Sequence, residues 1–477
     1  MGAKEHPGWL PSRLREARDA HGLTLDEVAS RIRNLGDVGF RPPAATFQQV
    51  GRHERGEVYP GRYYRRAYCH IFDRDEPSLG FRDRRPWEAD RSGRAAAGSR
   101  NPLPAGYPPP PVAPTFGVGG GGLAALWHAD LTEVAAVVSA DADPGGWNDA
   151  VLGWILRSTA SPRPSAAAGA QVGAHEVEAL RATTAMFTEL DFRFGGHHAR
   201  RALIQFLATD AEQLLSGSCT DATGRELRAA VGEACLLTAW MTYDAGLQGL
   251  AQRYFVQALH LAQVADDRML AGGVLAAMSH QATYLGRGHE AANLARSAAM
   301  ATMGAATPTL TAQFLAMEAR GHASSGDAAA CHAALSAAER AFDHGGTSDD
   351  PDWVSYFDEA ELYAEFAHCH LDLARSHDAV EWASRSLALA SGQAPRSDYF
   401  VIMVGAKAHL DQGQPDAACR LASEAIPLAD QFKSARSARY LAEFRARLQA
   451  FKRSPVVRAF ADQATSHPSW NALASEG

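Results

Sequence analysis

The chain has 477 residues, which exceeds one ordinary domain, and 46% of them are hydrophobic, so that a large core can form. The net charge of −8 is divided unevenly, because residues 1–100 carry 19 lysines and arginines against 14 acidic residues and the remainder carries 27 against 40. The absence of any apolar run near the roughly 20 residues that cross a bilayer argues against a membrane-spanning protein, and a basic first part is typical of a chain that meets nucleic acid.

The six cysteines form no C-x-x-C pair and no spacing typical of a disulfide framework. Free thiols in a reducing compartment are the simplest interpretation. The first residues, MGAKEHPGWLPSRLREA, lack the apolar segment of a secretory signal. We therefore expect a cytoplasmic protein without membrane contacts.

Short amphipathic helices are predicted along residues 1–85. The first is expected to place Leu10, Leu14 and Ala17 on one face. The second begins with a capping box, in which the Thr24 hydroxyl and the Glu27 carboxylate each satisfy a backbone amide. An apolar stripe with helical spacing follows at Leu25, Val28, Ala29 and Ile32.

The third and fourth helices include the stretch GRHERGEVYPGRYYRR, residues 51–66, which holds five arginines. The third helix is expected to turn Phe47 and Val50 inward and to stop at Gly56. The fourth is expected to have one apolar and aromatic side, formed by Tyr64, Tyr68, Ile71 and Phe72.

A change of composition marks a linker over residues 86–122. Four consecutive prolines favour an extended chain, and four consecutive glycines are flexible. The linker separates a head, residues 1–85, from a larger second part.

Beyond the linker the sequence alternates Ala/Leu-rich helices with short polar turns. Residues 123–173 are predicted as a helical connector, residues 174–455 as paired helices, and residues 456–477 as a tail. The turns are spaced by 40, 40, 50 and 37 residues and lie near Gly246, Gly286, Gly326, Ser376 and Gly413. Helical hairpins that recur at such a period stack into a solenoid, so the predicted fold class is all-α.

The third helix of the head has an outer face that suits contacts with DNA. Gln pairs with adenine and Arg with guanine through two hydrogen bonds in the major groove, and further basic side chains contact phosphates. The alternative is that the arginines only solvate a small helical domain. The residues assigned to DNA are Thr46, Gln48, Gln49, Arg52, Arg55, Arg62, Tyr63 and Arg65.

The head resembles the XRE (Cro/repressor-like) DNA-binding domain. HGLTLDEVASRI matches the second helix of that family, and ERGEVYP matches the end of its recognition helix. The resemblance implies a helix-turn-helix fold in which Gln48, Gln49 and Arg52 face bases while Arg55 and Arg62 face the DNA backbone. The turn RNLGDVGFRPPA is longer than is usual in the family.

The paired helices resemble tetratricopeptide repeats, although their period is about 40 rather than 34 residues. The whole chain resembles actinobacterial XRE regulators that carry a tetratricopeptide-like sensor domain. The segments that carry this resemblance are DFRFGGHHARRAL and AMSHQATYLG. The resemblance implies a ligand-responsive repressor or activator whose repeats bind a signalling peptide or a small molecule. We further expect the body to form a homodimer that presents two heads to DNA. For each candidate ligand residue, an ordinary hydrogen bond between helices is the alternative. The candidates are Tyr243, His280, Gln281, Tyr284, Tyr356, Asp358, Glu361 and His368.

Two classes of function remain open. We expect a ligand-responsive transcription regulator that binds double-stranded DNA. The sequence holds no P-loop, G-x-S-x-G, H-E-x-x-H or dinucleotide fingerprint, so that no enzymatic activity, cofactor or metal is expected. The alternative is a protein-binding scaffold whose head does not bind DNA. An affinity for DNA that falls steeply with salt would favour the regulator.

Overall fold

A computed structural model gives the fold and describes residues 9–35, 43, 45–72, 74, 76–81, 121–156, 171–302, 304–343, 350–390 and 394–472. The chain divides into two compact units, residues 1–108 and 109–477. The predicted linker lies outside the described residues, except that residues 121–122 form the start of a helix.

The described part of the head contains four helices, α1 (Ser12–Ala20), α2 (Leu25–Arg33), α3 (Phe47–Glu54) and α4 (Arg62–Phe72). Capping boxes start α2, as predicted, and also α3. α2 packs against α3 and α4, and α1 packs against α3. The buried residues of this core include Leu14, Ala17, Val28, Ile32, Val50, Tyr68 and Phe72.

Three large apolar side chains in the described part of the head are exposed, those of Leu10, Phe47 and Val58. Leu10 precedes α1 and is 47% exposed, and Phe47, the first residue of α3, is 51% exposed. Leu10 therefore does not share the buried face of Leu14 and Ala17 as predicted, and the prediction that Phe47 faces inward is wrong. Val50 is buried as expected. The other core positions of α3 are occupied by the polar residues His53 and Glu54, whose side chains form hydrogen bonds with residues of α4 and α1.

The second unit, called the body, begins with six helices. They are α5 (Gly121–Leu131), α6 (Ala135–Val138), α7 (Pro144–Leu156), α8 (Ala174–Phe194), α9 (Gly196–Phe206) and α10 (Glu212–Leu215). α5 packs against α9, while α7 packs against the second helices of the first two hairpins described below. Trp127 and Trp147 are fully buried there. Residues 123–156 are therefore part of the packed body and not a connector, while residues 157–170 lie outside the described ranges.

Five helical hairpins follow, which confirms the predicted all-α fold with solenoid-like packing. They are α11 (Asp221–Asp244) with α12 (Gln248–Ala265), α13 (Arg268–Tyr284) with α14 (Gly288–Thr302), α15 (Pro308–Ser325) with α16 (Ala328–Phe342), α17 (Glu359–Asp372) with α18 (Ser376–Leu389), and α19 (Pro395–Asp411) with α20 (Pro415–Ala429).

The hairpin turns lie where the sequence predicted them. Gly246, Gly286, Gly326 and Gly413 have φ values between 71° and 83°, a left-handed conformation that glycine adopts without steric cost. In the remaining turn Ala374 takes this conformation, with φ 57°, just before α18.

The first helices of the hairpins form a continuous row. α11, α13, α15, α17 and α19 each contact the next first helix, and each second helix packs against its own partner. Small residues allow close approach between hairpins, since a Cβ added to Gly321 of α15 would lie 2.5 Å from the Ala292 nitrogen of α14. We call the surface formed by the row of first helices the inner face.

Three more helices complete the body, α21 (Ala435–Leu448), α22 (Pro455–Ala464) and α23 (Pro468–Ala472). Val457, Phe460 and Trp470 are buried in the same core as α19 and α20. The prediction of a tail from residue 456 is therefore wrong for the residues up to 472, and residues 473–477 lie outside the described part.

Polar contacts join the beginning of the body to its end. Arg396 of α19 donates two hydrogen bonds to the Asp191 carboxylate of α8, at 3.1 and 2.7 Å, and lies 3.5 Å from Asp244 of α11. The Ser434 hydroxyl donates to Asp244 at 2.7 Å. These contacts link residues that are about 200 positions apart and close the row of hairpins on itself.

Candidate nucleic-acid interface and inner face

The outward face of α3 carries the side chains predicted to read bases. Gln48, Gln49 and Arg52 are all exposed, as is Arg55 at the end of the helix. Within the described part of the head, the Gln48 side chain has no hydrogen-bond partner, so both its donor and its acceptor are free to meet a base edge.

Thr46 and Gln49 instead hold the first turn of α3. The Thr46 hydroxyl caps the helix, and the Gln49 side-chain oxygen accepts hydrogen bonds from the Thr46 amide at 3.1 Å and from the Tyr64 hydroxyl at 2.8 Å. The amide group of Gln49 keeps only its nitrogen for an external partner. Gln48 and Arg52 are therefore better placed than Gln49 for bidentate contacts with bases.

The basic residues after α3 differ in how they are engaged. Arg55 donates to Glu57 at 2.6 Å, and Arg52 lies 3.6 Å from the same carboxylate. The Arg55 guanidinium lowers the pKa of Glu57 and keeps that carboxyl ionised. Arg65 bonds to Glu76 at 2.9 Å and to the Pro60 carbonyl at 2.9 Å, which gives it a structural role in the head. The side chains of Arg62 and Tyr63 lie outside the described residues.

Replacing Glu57 by glutamine is expected to strengthen DNA binding. The change releases both arginines from a shared carboxylate, so that Arg55 becomes available to a phosphate and Arg52 to a base edge. The slope of log K against log salt should steepen by about 0.9 for each phosphate gained, as measured by fluorescence anisotropy over a salt series. Glu16→Gln is the matched control, because it removes the same charge from an exposed site that forms no ion pair within the described residues of the head. Equal effects of the two variants would contradict the role of Glu57.

Two buried polar contacts set the orientation of α3. Glu54 accepts two hydrogen bonds from Arg18 of α1, at 2.8 and 3.1 Å. The His53 Nδ1 atom lies 2.9 Å from the Tyr68 hydroxyl of α4. Burial, with the nearby Arg52 charge, lowers the pKa of His53 to about 4, so that the ring is neutral at pH 7. The sequence analysis missed both contacts, although Glu54 belongs to the ERG motif that it identified.

On the inner face, four aromatic residues from α11 and α13 form one cluster. The Tyr243 hydroxyl lies 3.2 Å from His280 Nδ1, and the Tyr243 ring packs edge-on against Tyr284, with 5.2 Å between centroids. Trp240 contacts both Tyr243 and His280. Tyr243 is fully buried, whereas His280 and Tyr284 remain half-buried. The structure thus brings three of the predicted ligand residues together.

The helix α21 lies against this inner face and contributes residues that the sequence analysis did not select. The Arg436 guanidinium lies 4.8 Å from the Tyr243 ring and 4.4 Å from the Phe400 ring. Its Nε atom is buried without a hydrogen-bond partner, and the described contacts include no ion pair to this residue. Tyr440 packs edge-on against His368 of α17. The spacing of the hairpin turns does not extend to α21, because no further turn of this kind follows it. These positions therefore cannot be identified from that spacing.

Charged groups from α15 and α17 meet in the same region. Arg320 forms a buried ion pair with Glu365. Burial and the neighbouring Glu365 raise the pKa of the Glu361 carboxyl well above its usual value. Burial, together with the Arg320 charge, lowers the pKa of His368 far below its usual value and keeps the ring neutral. The inner face therefore combines cationic guanidinium groups with neutral donors and acceptors.

Three other predicted ligand residues make contacts within the body. Gln281 is fully buried, and its side-chain nitrogen donates to the Gln248 carbonyl at 2.8 Å. Asp358 is the N-cap of α17 and accepts from the Glu361 amide at 2.9 Å. The Tyr356 hydroxyl, on an exposed residue, accepts from Gln313 at 2.6 Å. Gln281 and Asp358 thus have structural roles.

None of the helices in the described ranges combines the length and apolar character needed for a bilayer crossing. The same ranges contain no group of three or more histidine, cysteine or acidic side chains arranged to hold a metal ion.

Comparison of the chain with known protein families, curated proteins and solved structures gives no match.

Proposed function

We propose that the protein is a sequence-specific, DNA-binding transcription regulator. The observation that carries the proposal is the exposed face of α3, where Gln48 and Arg52 lie one turn apart on a helix held by a capping box. Gln and Arg are the side chains that most directly distinguish adenine and guanine in the major groove. A helix of this kind, supported by a second helix that packs across it, is the arrangement used by helix-turn-helix proteins.

The test is a pull-down of genomic DNA fragments by the purified full-length protein, compared with the double variant Gln48→Ala, Arg52→Ala. Enrichment of a shared site by the native protein is expected. Each bidentate pair contributes about 1–3 kcal/mol. Because the double variant loses two such pairs, its affinity for that site should fall by a factor of roughly thirty or more. Gln213→Ala with Arg458→Ala is the control, because it removes the same side chains from exposed positions of the body.

The alternative function, a protein-binding scaffold, makes a different prediction. A scaffold head would bind no DNA even at low salt, and the double variant would behave like the native protein. Absence of DNA binding in 50 mM salt, where phosphate contacts are strongest, would contradict the proposal.

The inner face is proposed as the sensing site for a peptide or small molecule. Arg436 supports this role, since its guanidinium forms no ion pair with the described residues and lies between two aromatic rings, where it can pair with an anionic group of a ligand. Fractions of a cell extract would be screened for a rise in the thermal unfolding temperature of the body. A fraction that stabilises the native protein but not Arg436→Gln is expected. Stabilisation that is equal in both proteins would contradict the role of Arg436.

The proposed mechanism requires two heads. A homodimer formed through the body would carry two heads to half-sites about 34 Å apart, one turn of DNA. A ligand that binds one dimer geometry more tightly than another would shift the population that is able to bind DNA. Sedimentation of the protein with and without its operator tests this step, and binding of one monomer per operator would exclude it.

A further inference from the structure

Phe47 occupies an unusual place for a large apolar side chain. It is the first residue of α3, it is 51% exposed, and Gln48 follows it directly. Isolated apolar residues at a surface are common and need no explanation by themselves. This one lies on the helix proposed to enter the major groove, at the end whose residues contact base edges in helix-turn-helix proteins.

We propose that Phe47 recognises the 5-methyl group of a thymine in each half-site of the operator, an inference that rests on the proposed DNA-binding function. Thymine alone presents a methyl group in the major groove, and apolar side chains such as phenylalanine distinguish it by contact. Phenylalanine has no hydrogen-bonding group of its own, so the polar amino group of cytosine at the same position would lose its water without gaining a partner.

The local structure places Phe47 for this contact before DNA arrives. Thr46 caps the turn that begins with Phe47, and the Gln49 side-chain oxygen accepts a hydrogen bond from the Thr46 amide at 3.1 Å. Tyr64 of α4 holds the same Gln49 oxygen at 2.8 Å. The backbone of Phe47 is thus fixed from both sides, and binding a thymine would order only its side chain.

In the experiment, the thymines of the enriched operator are replaced by uracil at one position of the half-site at a time. Uracil keeps every hydrogen-bonding group of thymine and lacks only the methyl group. The native protein should bind about fourfold more weakly at one position of each half-site, which corresponds to one buried methyl at about 0.8 kcal/mol. Phe47→Ala should bind thymine and uracil equally at that position, and Phe47→Leu, which keeps an apolar side chain, should still prefer thymine. Because Phe47 is exposed, all three proteins should unfold at the same temperature.

Each outcome decides the inference. A native protein that binds the uracil operators as tightly as the thymine operator would overturn it and leave the proposed function intact. A preference for thymine that persists in Phe47→Ala would assign the methyl contact to another residue. Absence of any enriched operator would overturn the proposed function and this inference together.

Discussion

Replacement of Glu54 by alanine is expected to destabilise the head by about 2–4 kcal/mol. Glu54 is nearly inaccessible to solvent, and it accepts two hydrogen bonds from Arg18, whose side chain is only 16% exposed. The change leaves the Arg18 guanidinium with only the exposed Asp19 carboxylate, at 2.8 Å, as an ionic partner, and the loss of a buried partner is the costly case. The loss should also loosen the contact between α1 and α3, so the proposed DNA binding should weaken although Glu54 is buried and does not lie on the exposed face of α3.

Hydrogen exchange at the amides of α3 in the full-length protein measures this effect, because it reports the head separately from the body. Glu16→Ala is the control, since it removes an exposed carboxylate from α1. The double variant Arg18→Ala, Glu54→Ala should be less destabilised than the sum of the two single variants, because neither charge is then left alone. Exchange rates in Glu54→Ala that equal those of the control would show that the ion pair does not hold α3.

Replacement of Arg396 by alanine is expected to lower the stability of the body by about 3–5 kcal/mol. The guanidinium bonds to Asp191 at 3.1 and 2.7 Å and lies 3.5 Å from Asp244, and both carboxylates are almost fully buried. The variant would leave two buried carboxylates without the cation that contacts both of them. The contact between α8 and α19 should open first, since it depends most directly on this residue.

Urea unfolding followed by circular dichroism measures the stability of the body, whose helices dominate the signal. Arg385→Ala is the matched control, because that arginine forms an exposed pair with Glu381 on α18 and should contribute at most about 1 kcal/mol. Changing Asp191 and Asp244 to asparagine should restore part of the stability of Arg396→Ala. A loss as small as in Arg385→Ala would mean that the closure of the body does not depend on this cluster.

The two variants also separate the two parts of the proposed function. Glu54→Ala should impair DNA binding and leave ligand binding at the inner face unchanged. Arg396→Ala should disturb the region between α8 and α19, next to the helix that carries Arg436, and should therefore weaken any ligand that depends on that guanidinium. A loss of both activities in both variants would argue against separate sites.

Local sequence by itself determined much of the fold. The capping box of Thr24 and Glu27 marks the start of α2, and the apolar stripe behind it is the buried face of that helix. In the body, four glycines and Ser376, spaced 37–50 residues apart, mark the hairpin turns. These signals are reliable because backbone capping and left-handed turns depend on a few neighbouring residues, and because every hairpin of a solenoid packs mainly against the next one.

The direction in which single side chains face was decided by tertiary structure. Phe47 seemed an inward residue, but α3 has only eight residues and its core positions are taken by Val50, His53 and Glu54. His53 and Glu54 can be buried only because Tyr68 and Arg18, on other helices, satisfy them. An apolar pattern that covers only two helical turns is too short to predict that polar residues occupy core positions while an apolar residue is exposed.

The inner face depended still more on contacts between distant residues. Tyr243 and His280 were predicted from their polar or aromatic character on first helices, and they do meet. Arg436 was not predicted, because it joins them only where the row of hairpins closes on itself through Arg396 and Asp191, which are 205 positions apart. Local periodicity specifies each hairpin, but it carries no information about which distant hairpins meet, and that long-range packing is what assembles the candidate site.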